Sequence, residues 1–242
     1  STAAGSPAAR ADLFARNREI ARIGAVDPNS WKAGKKRYWK RLDRAHDWID
    51  RHLVEAGSVT FTFATGDTST VAPVTVCPSR FETLGNKGTV VSNGSKVIVG
   101  TEFPGFSWSE ESLFAGAVAH EFSHNMLGHN RWLKRNGKSH RHVRLTEREA
   151  DRLMPWVMAN AGYDPQDAVR FMTTWGKKHD LGLFRSLKYE GWDERAEHIA
   201  AEVPLVRAAM AEEGKADWSR HFRREIDPAK GLTVQSDAAQ PR

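Results

Sequence analysis

Five consecutive residues carry the strongest chemical signal in this chain: His120-Glu121-Phe122-Ser123-His124. An α-helix turns about 100° per residue, so two histidines four apart leave the same face one turn apart. Two imidazole nitrogens placed that way can reach one tetrahedral zinc ion at about 2.0–2.1 Å. Glu121 stands on the adjacent strip, where a carboxylate can take a proton from a metal-bound water without ligating the ion. The chemistry that suits this pattern is zinc-assisted hydrolysis of a peptide bond, with Glu121 as general base. The plainer reading is a surface helix bearing two solvated histidines. Leu113, Phe114, Ala117 and Val118 lead into the motif, however, so the helix enters an apolar interior where ionisable groups need partners.

A catalytic zinc requires a third protein ligand and leaves its fourth position to water. His129 is the nearest candidate, nine residues past His120. If the helix continues, it points about 180° away. It also misses the metzincin spacing, which wants Gly and His where the chain has Leu127 and Asn130. The other route is a carboxylate in Thr146-Glu147-Arg148-Glu149-Ala150-Asp151. Glu147 and Asp151 share a helix face, and Glu149 lies about 200° from Glu147. With Glu147 as ligand, Asp151 sits one turn along, able to hydrogen-bond a ligand imidazole and fix its tautomer. Spacing alone leaves this route open, because an acidic helix start also suits the macrodipole.

Periodicity gives the elements that must position these groups. Residues 1–9 read as a flexible start and residues 10–24 as a short helix. Pro28 breaks the chain and Ser30 could cap the next helix. In that helix Trp31, Tyr38, Leu42, Ala45, Ile49 and Leu53 recur at helical spacing, up to about Gly57. Val59, Phe61 and Phe63 then alternate as in a half-buried strand. Residues 71–76, 89–92 and 96–101 are further strands, the last two joined by an Asn93-Gly94 turn. The motif helix spans about 109–128. After it come a basic loop over 130–144, helices over about 146–160, 165–175 and 193–213, and a polar tail. The expected fold class is α+β, mainly helical, with a small antiparallel sheet before the motif helix. The expected organisation is a flexible segment (1–9), N-terminal helices packed on the core (10–57), the motif-bearing domain (58–213) and a C-terminal extension (214–242).

Composition sets limits. The 242 residues are 40% hydrophobic and 27% charged, a globular balance. No run approaches the roughly 18 apolar residues of a membrane span. The one cysteine, Cys77, excludes an internal disulfide framework and a multi-cysteine zinc site. Net charge is +6, and residues 130–146 hold six Lys or Arg and no acid. That stretch is most simply a solvated loop. The sharper reading is a rim that attracts acidic substrates, nucleic acid or an anionic membrane surface, with Trp132 as a stacking group. Lys32, Lys35, Lys36, Arg37, Lys40 and Arg41 make the start of the N-terminal helix basic as well, and that helix could instead cover the cleft.

The run from Ala119 to His129, then Glu147-Arg148-Glu149-Ala150-Asp151, then Ala161-Gly162-Tyr163-Asp164-Pro165, resembles the HtpX/BepA-like metallopeptidases, peptidase family 48. Asn93 to Thr101 also resembles that family's hairpin before its active-site helix. The resemblance covers about residues 85–200 and implies a gluzincin, a zincin-type domain. It implies that Glu147, four before Asp151, joins His120 and His124 of the first helix as the third ligand. The family often carries a His-Pro pair six residues before a late Arg, where the His steadies the oxyanion. With Arg195 in the Arg position, the His position holds Tyr189, followed by Glu190. A Tyr hydroxyl can also donate to an oxyanion, though it can equally be a packed aromatic. His179 and His198 are the other candidates. The resemblance further implies a bacterial periplasm or envelope location and a protein or peptide substrate. Two other functions compete with it. A SprT-like DNA-associated protease uses the same motif but a third His, so the carboxylate pattern disfavours nucleic acid. A non-catalytic binding protein stabilised by zinc would have no need of Glu121.

Overall fold

The structure is a computed structural model that describes residues 7–10, 18–32, 39–75, 79–85, 87–177, 190–227 and 231–232. The chain divides into two compact units, residues 1–76 and 77–242.

In the first unit, helix α1 (Pro7–Arg10) begins within the segment expected to be flexible, and strand β1 (Ile20–Ile23) stands in place of the end of the expected helix. β1 pairs antiparallel with β2 (Val59–Phe63), which pairs antiparallel with β3 (Thr68–Val71). Pairing decides the matter: Ile23, Phe61 and Phe63 turn to one buried face, a gain that an isolated helical turn lacks. Helix α2 (Trp39–Ala56) supplies Ala45 to that core, with Trp48, Ile49 and Leu53 packed around it. Pro28–Ser30 is a 3₁₀ turn, and residues 33–38 lie outside the described set. The strand expected over 71–76 ends at Val71 instead, two residues before Pro73, which has no N–H for a ladder. Because β1 and β2 share a sheet, residues 58–75 belong to the first unit, and the division does not fall after Gly57.

The second unit carries the motif. Its sheet has the order β4 (Arg80–Leu84), β6 (Lys96–Gly100), β5 (Val90–Ser92). β5 and β6 form the expected antiparallel hairpin, but β4 pairs parallel with β6, so this sheet is mixed. Gly94 turns the hairpin at φ 101°, a conformation open to glycine. Helix α3 (Glu111–Leu127) holds the motif, and its Asn125 Oδ1 accepts from the Gly94 N–H at 2.8 Å. The hairpin tip is thereby fixed to the motif helix.

The expected basic loop is helical: α4 (His129–Asn136) and α5 (His140–Asn160) leave only three residues between them. Ser139 caps α5, accepting from His142 N–H at 3.2 Å. Trp132 is 2% exposed and edge-on to His142, so it is not a surface stacking group. α6 (Gln166–Phe171), a π-helical turn at Met172–Gly176 and the long α7 (Trp192–Glu213) complete the layer around α3 and α5. Val99, Phe103, Met154, Met158, Phe171 and Ile199 are buried together beneath the motif. α8 (Trp218–His221) leads into β7 (Ile226–Asp227), which pairs with β8 (Gly231–Leu232). The chain is thus α+β and mainly helical. No helix among the described residues is long and apolar enough to cross a membrane.

Candidate metal centre

Helix α3 has two chemically different faces. Phe114, Val118, Phe122 and Met126 line an apolar cavity of about 570 Å³ together with Phe81 and Trp218. The centre of that face lies roughly 160° around the axis from the two motif histidines. His120 and His124 point instead at α5, where Glu147 meets them.

His120 Nε2 and His124 Nε2 are 3.3 Å apart. Glu147 Oε2 lies 3.5 Å from His120 Nε2, and Glu147 Oε1 lies 3.5 Å from His124 Nε2. Metal–ligand bonds of about 2.0–2.1 Å at tetrahedral angles give ligand–ligand edges of about 3.3–3.4 Å. The three side chains therefore stand at the separations a tetrahedral cation imposes, and the group could bind a metal ion. Two imidazole nitrogens and a carboxylate also form the donor set that borderline divalent cations favour.

Electrostatics agree with geometry. Glu147 and Asp151 face this pocket, and Arg195 supplies the guanidinium: its Nε and Nη2 donate to Asp151 at 2.6 and 2.8 Å, and Nη2 lies 3.8 Å from Glu147. Two carboxylates against one guanidinium leave a deficit of positive charge. His120 makes it up. Burial opposes its protonation, but Asp151 and Glu147 outweigh burial and push it up to about 10. His124 is pushed down, chiefly by burial, against the pull of Glu147. Burial also opposes ionisation of Glu147, yet His124, His120 and Arg195 hold it well below the usual carboxylate range. Asp151, wholly buried, is lowered by Arg195 and His120 against the same burial.

Asp151 Oδ1 stands 2.9 Å from His120 Nδ1. A proton on Nδ1 leaves the Nε2 lone pair for a metal, which is the orienting role expected of a residue behind a ligand imidazole. Glu121 is half-buried, and its charge acts on His124. Tyr189 and His179 lie outside the described residues. His198 is 3.4 Å from Glu190 and is no part of the metal group.

His129 departs from the expectation drawn from spacing. Helix α3 does not continue through it. Gly128 adopts φ 71°, a left-handed C-cap that restarts the helix in a new direction. His129, 1% exposed, is thereby swung back so that its Nδ1 lies 2.9 Å from His124 Nδ1. It is still not one of the metal-group residues, but it stands directly behind one. Its Nε2 is 3.1 Å from Glu149 Oε2. Glu149, turned from Glu147 as helical geometry requires, is fully buried and also accepts from Arg224. Sequence reasoning missed Glu149 and Arg224, and it used Arg195 only to align Tyr189. The available signal was the glycine before His129, a helix stop by type.

Compared with protein-family models, curated proteins and solved structures, the chain matches none.

Proposed function

We propose that the protein is a zinc-dependent endopeptidase with a zincin-type catalytic unit of the HtpX/BepA-like kind. The observation that carries this reading is the tetrahedral spacing of His120, His124 and Glu147 with Glu121 next to the first ligand. A purely structural zinc needs no adjacent free carboxylate, and a catalytic one needs a base. The carboxylate four before Asp151 is also the gluzincin choice of third ligand, in contrast to the third His of SprT-like proteases.

A zinc ion bound here would acidify its water toward a pKa of about 7 and polarise the scissile carbonyl. Glu121 takes the proton from the attacking water and delivers it to the leaving amine. Asp151 Oδ1 faces His120 Nδ1 as an ion-pair contact at 2.9 Å, and Arg195 helps keep Asp151 ionised in its buried position. β5 is an edge strand of its sheet, and a substrate backbone could pair along Val90–Ser92 as an added strand. The substrate class is extended protein or peptide, and the resemblance favours the bacterial envelope as its setting.

Metal analysis combined with casein or peptide-library digestion tests the scheme. Wild type should hold one zinc per chain and cleave. Glu121→Gln should keep the zinc and lose about 10²–10⁴-fold in kcat. Glu147→Ala should lose the zinc. Full proteolysis by zinc-loaded Glu121→Gln would sink the mechanism.

A further inference from the structure

The network behind His124 has a proton order that its own chemistry dictates. Glu149 Oε1 accepts from the backbone N–H of Glu225 at 2.5 Å and of Ile226 at 2.8 Å. Its Oε2 accepts from Arg224 Nη2 at 3.0 Å and faces His129 Nε2 at 3.1 Å. A carboxylate in such company is ionised and can only accept. His129 Nε2 must therefore carry the proton and donate it. Its Nδ1 then holds a lone pair, and the partner 2.9 Å away, His124 Nδ1, must be the donor. A proton on His124 Nδ1 leaves its Nε2 lone pair pointing at Glu147 and His120. Each hydrogen bond forces the next, from the backbone of residues 225–226 to the donor nitrogen of the metal centre.

The far end of this chain is a clamp. Arg224 Nη2 also donates to the Leu127 carbonyl at 3.0 Å, closing the C-terminus of α3. The Glu225 carboxylate is gripped by Arg148 Nε at 2.9 Å and Arg152 Nη1 at 2.8 Å, both from α5. Ile226, 1% exposed, is buried beside it. Residues 224–226 thus form a strap whose backbone N–H groups belong to the support of His124. The metal centre uses none of these groups directly.

We propose that His129 is a positioning residue for the metal ligand His124, and that through Glu149 it couples zinc affinity to the docking of the 224–226 strap. This rests on the metal-centre reading above. It adds that two separate parts of the chain, 77 residues apart from Glu149 to Ile226, stabilise one another through bound metal. Such coupling is reciprocal: a docked strap favours zinc, and zinc favours the docked strap by the same factor.

Two measurements on the full chain test it. The first is zinc affinity by competition with a chromogenic chelator, for wild type, His129→Phe and His129→Gln. Loss of a group that orients a metal ligand costs about 10–100-fold in affinity. His129→Phe should lose that much. His129→Gln keeps one acceptor and one donor and should recover most of it, whereas a residue that merely fills space would be replaced as well by Phe. The second is hydrogen exchange of the wild-type peptide covering 222–227 with and without zinc, which needs no variant to fold. Zinc should slow exchange at the Glu225 and Ile226 amides. A folded His129→Phe chain that binds zinc as wild type does, or unchanged exchange at those amides, overturns the inference and leaves the metal centre standing. A wild type that binds no zinc overturns both.

Discussion

The two histidines of the motif are one helical turn apart on the same helix, yet they are supported in different ways. His120 is backed directly by a carboxylate, Asp151, which is itself paired with Arg195. His124 is backed by a second imidazole, His129, and only beyond that by a carboxylate, Glu149. Both carboxylates come from α5, two residues apart, and so lie on different faces of that helix. At His120 the carboxylates Asp151 and Glu147 outweigh burial and push it up to about 10, whereas at His124 burial outweighs the pull of Glu147 and pushes it down. Distance from the supporting carboxylate sets how each ligand is held. One imidazole is held by charge, the other by a directed hydrogen bond.

The largest effect that would break this contrast is removal of the direct support. Asp151→Ala leaves the half-buried Arg195 without its bidentate partner, and loss of one member of a buried pair costs about 3–5 kcal/mol, an upper value here because Arg195 is partly solvated. Urea unfolding should show that loss, and zinc affinity should fall further than in His129→Phe. Equal losses in the two variants would erase the distinction between direct and indirect support.

The pH dependence of the metal-free protein sharpens the same contrast. The folded chain keeps a proton on His120 up to about pH 10, while an unfolded histidine releases it near 6.5. That stabilisation is complete below pH 6.5 and is lost as pH rises through about 10. His129 behaves in the opposite sense. Burial depresses it to about 4, so its stabilisation is present above pH 6.5 and is lost as pH falls through about 4. Glu149, held at about 2 against burial by His129 and Arg224, adds to the acid-side loss below about 4.5. Chelator-treated protein should therefore have its highest Tm near pH 6.5 and lower values on both sides. Zinc should remove the alkaline loss, because a ligating His120 has no proton to give up. A metal-free Tm that climbs from about pH 7 to 9 would contradict the assignment of His120.

The smallest effect concerns the bend that brings His129 into place. Gly128 is left-handed, and a Cβ there would meet only Arg131 Nη2 at 3.8 Å. Gly128→Ala should therefore act through backbone strain alone, about 1–2 kcal/mol, seen as a modest drop in Tm. Its zinc affinity should fall less than that of His129→Phe, since the ring survives and is only misdirected.

Much of the site is legible in the residues themselves. The four-residue spacing of His120 and His124 sets a shared face wherever the helix lies, and the same rule separates Glu147 and Asp151 from Glu149. The Asn93-Gly94 turn is equally local, and the hairpin forms around it. Other features are not legible, for one common reason. Residues 20–23 and 140–145 have ambiguous local patterns, and partners far along the chain decide them. β2 draws Ile20–Ile23 into a sheet, and burial of Val143 and Thr146 extends α5 back to His140. The direction of His129 differs from its helical spacing because a single glycine ends the helix before it.

Covalent spacing along a helix therefore determined the candidate ligands, the candidate base and the face that each carboxylate takes, because helical geometry is the same in every context. Tertiary structure alone decided that Asp151 would meet Arg195, 44 residues on, and that Glu149 would meet Arg224, 75 residues on. No periodicity encodes those pairs. They exist because buried carboxylates must be neutralised, and the packing of α5 against α7 and the 224–226 strap determines which cations are within reach.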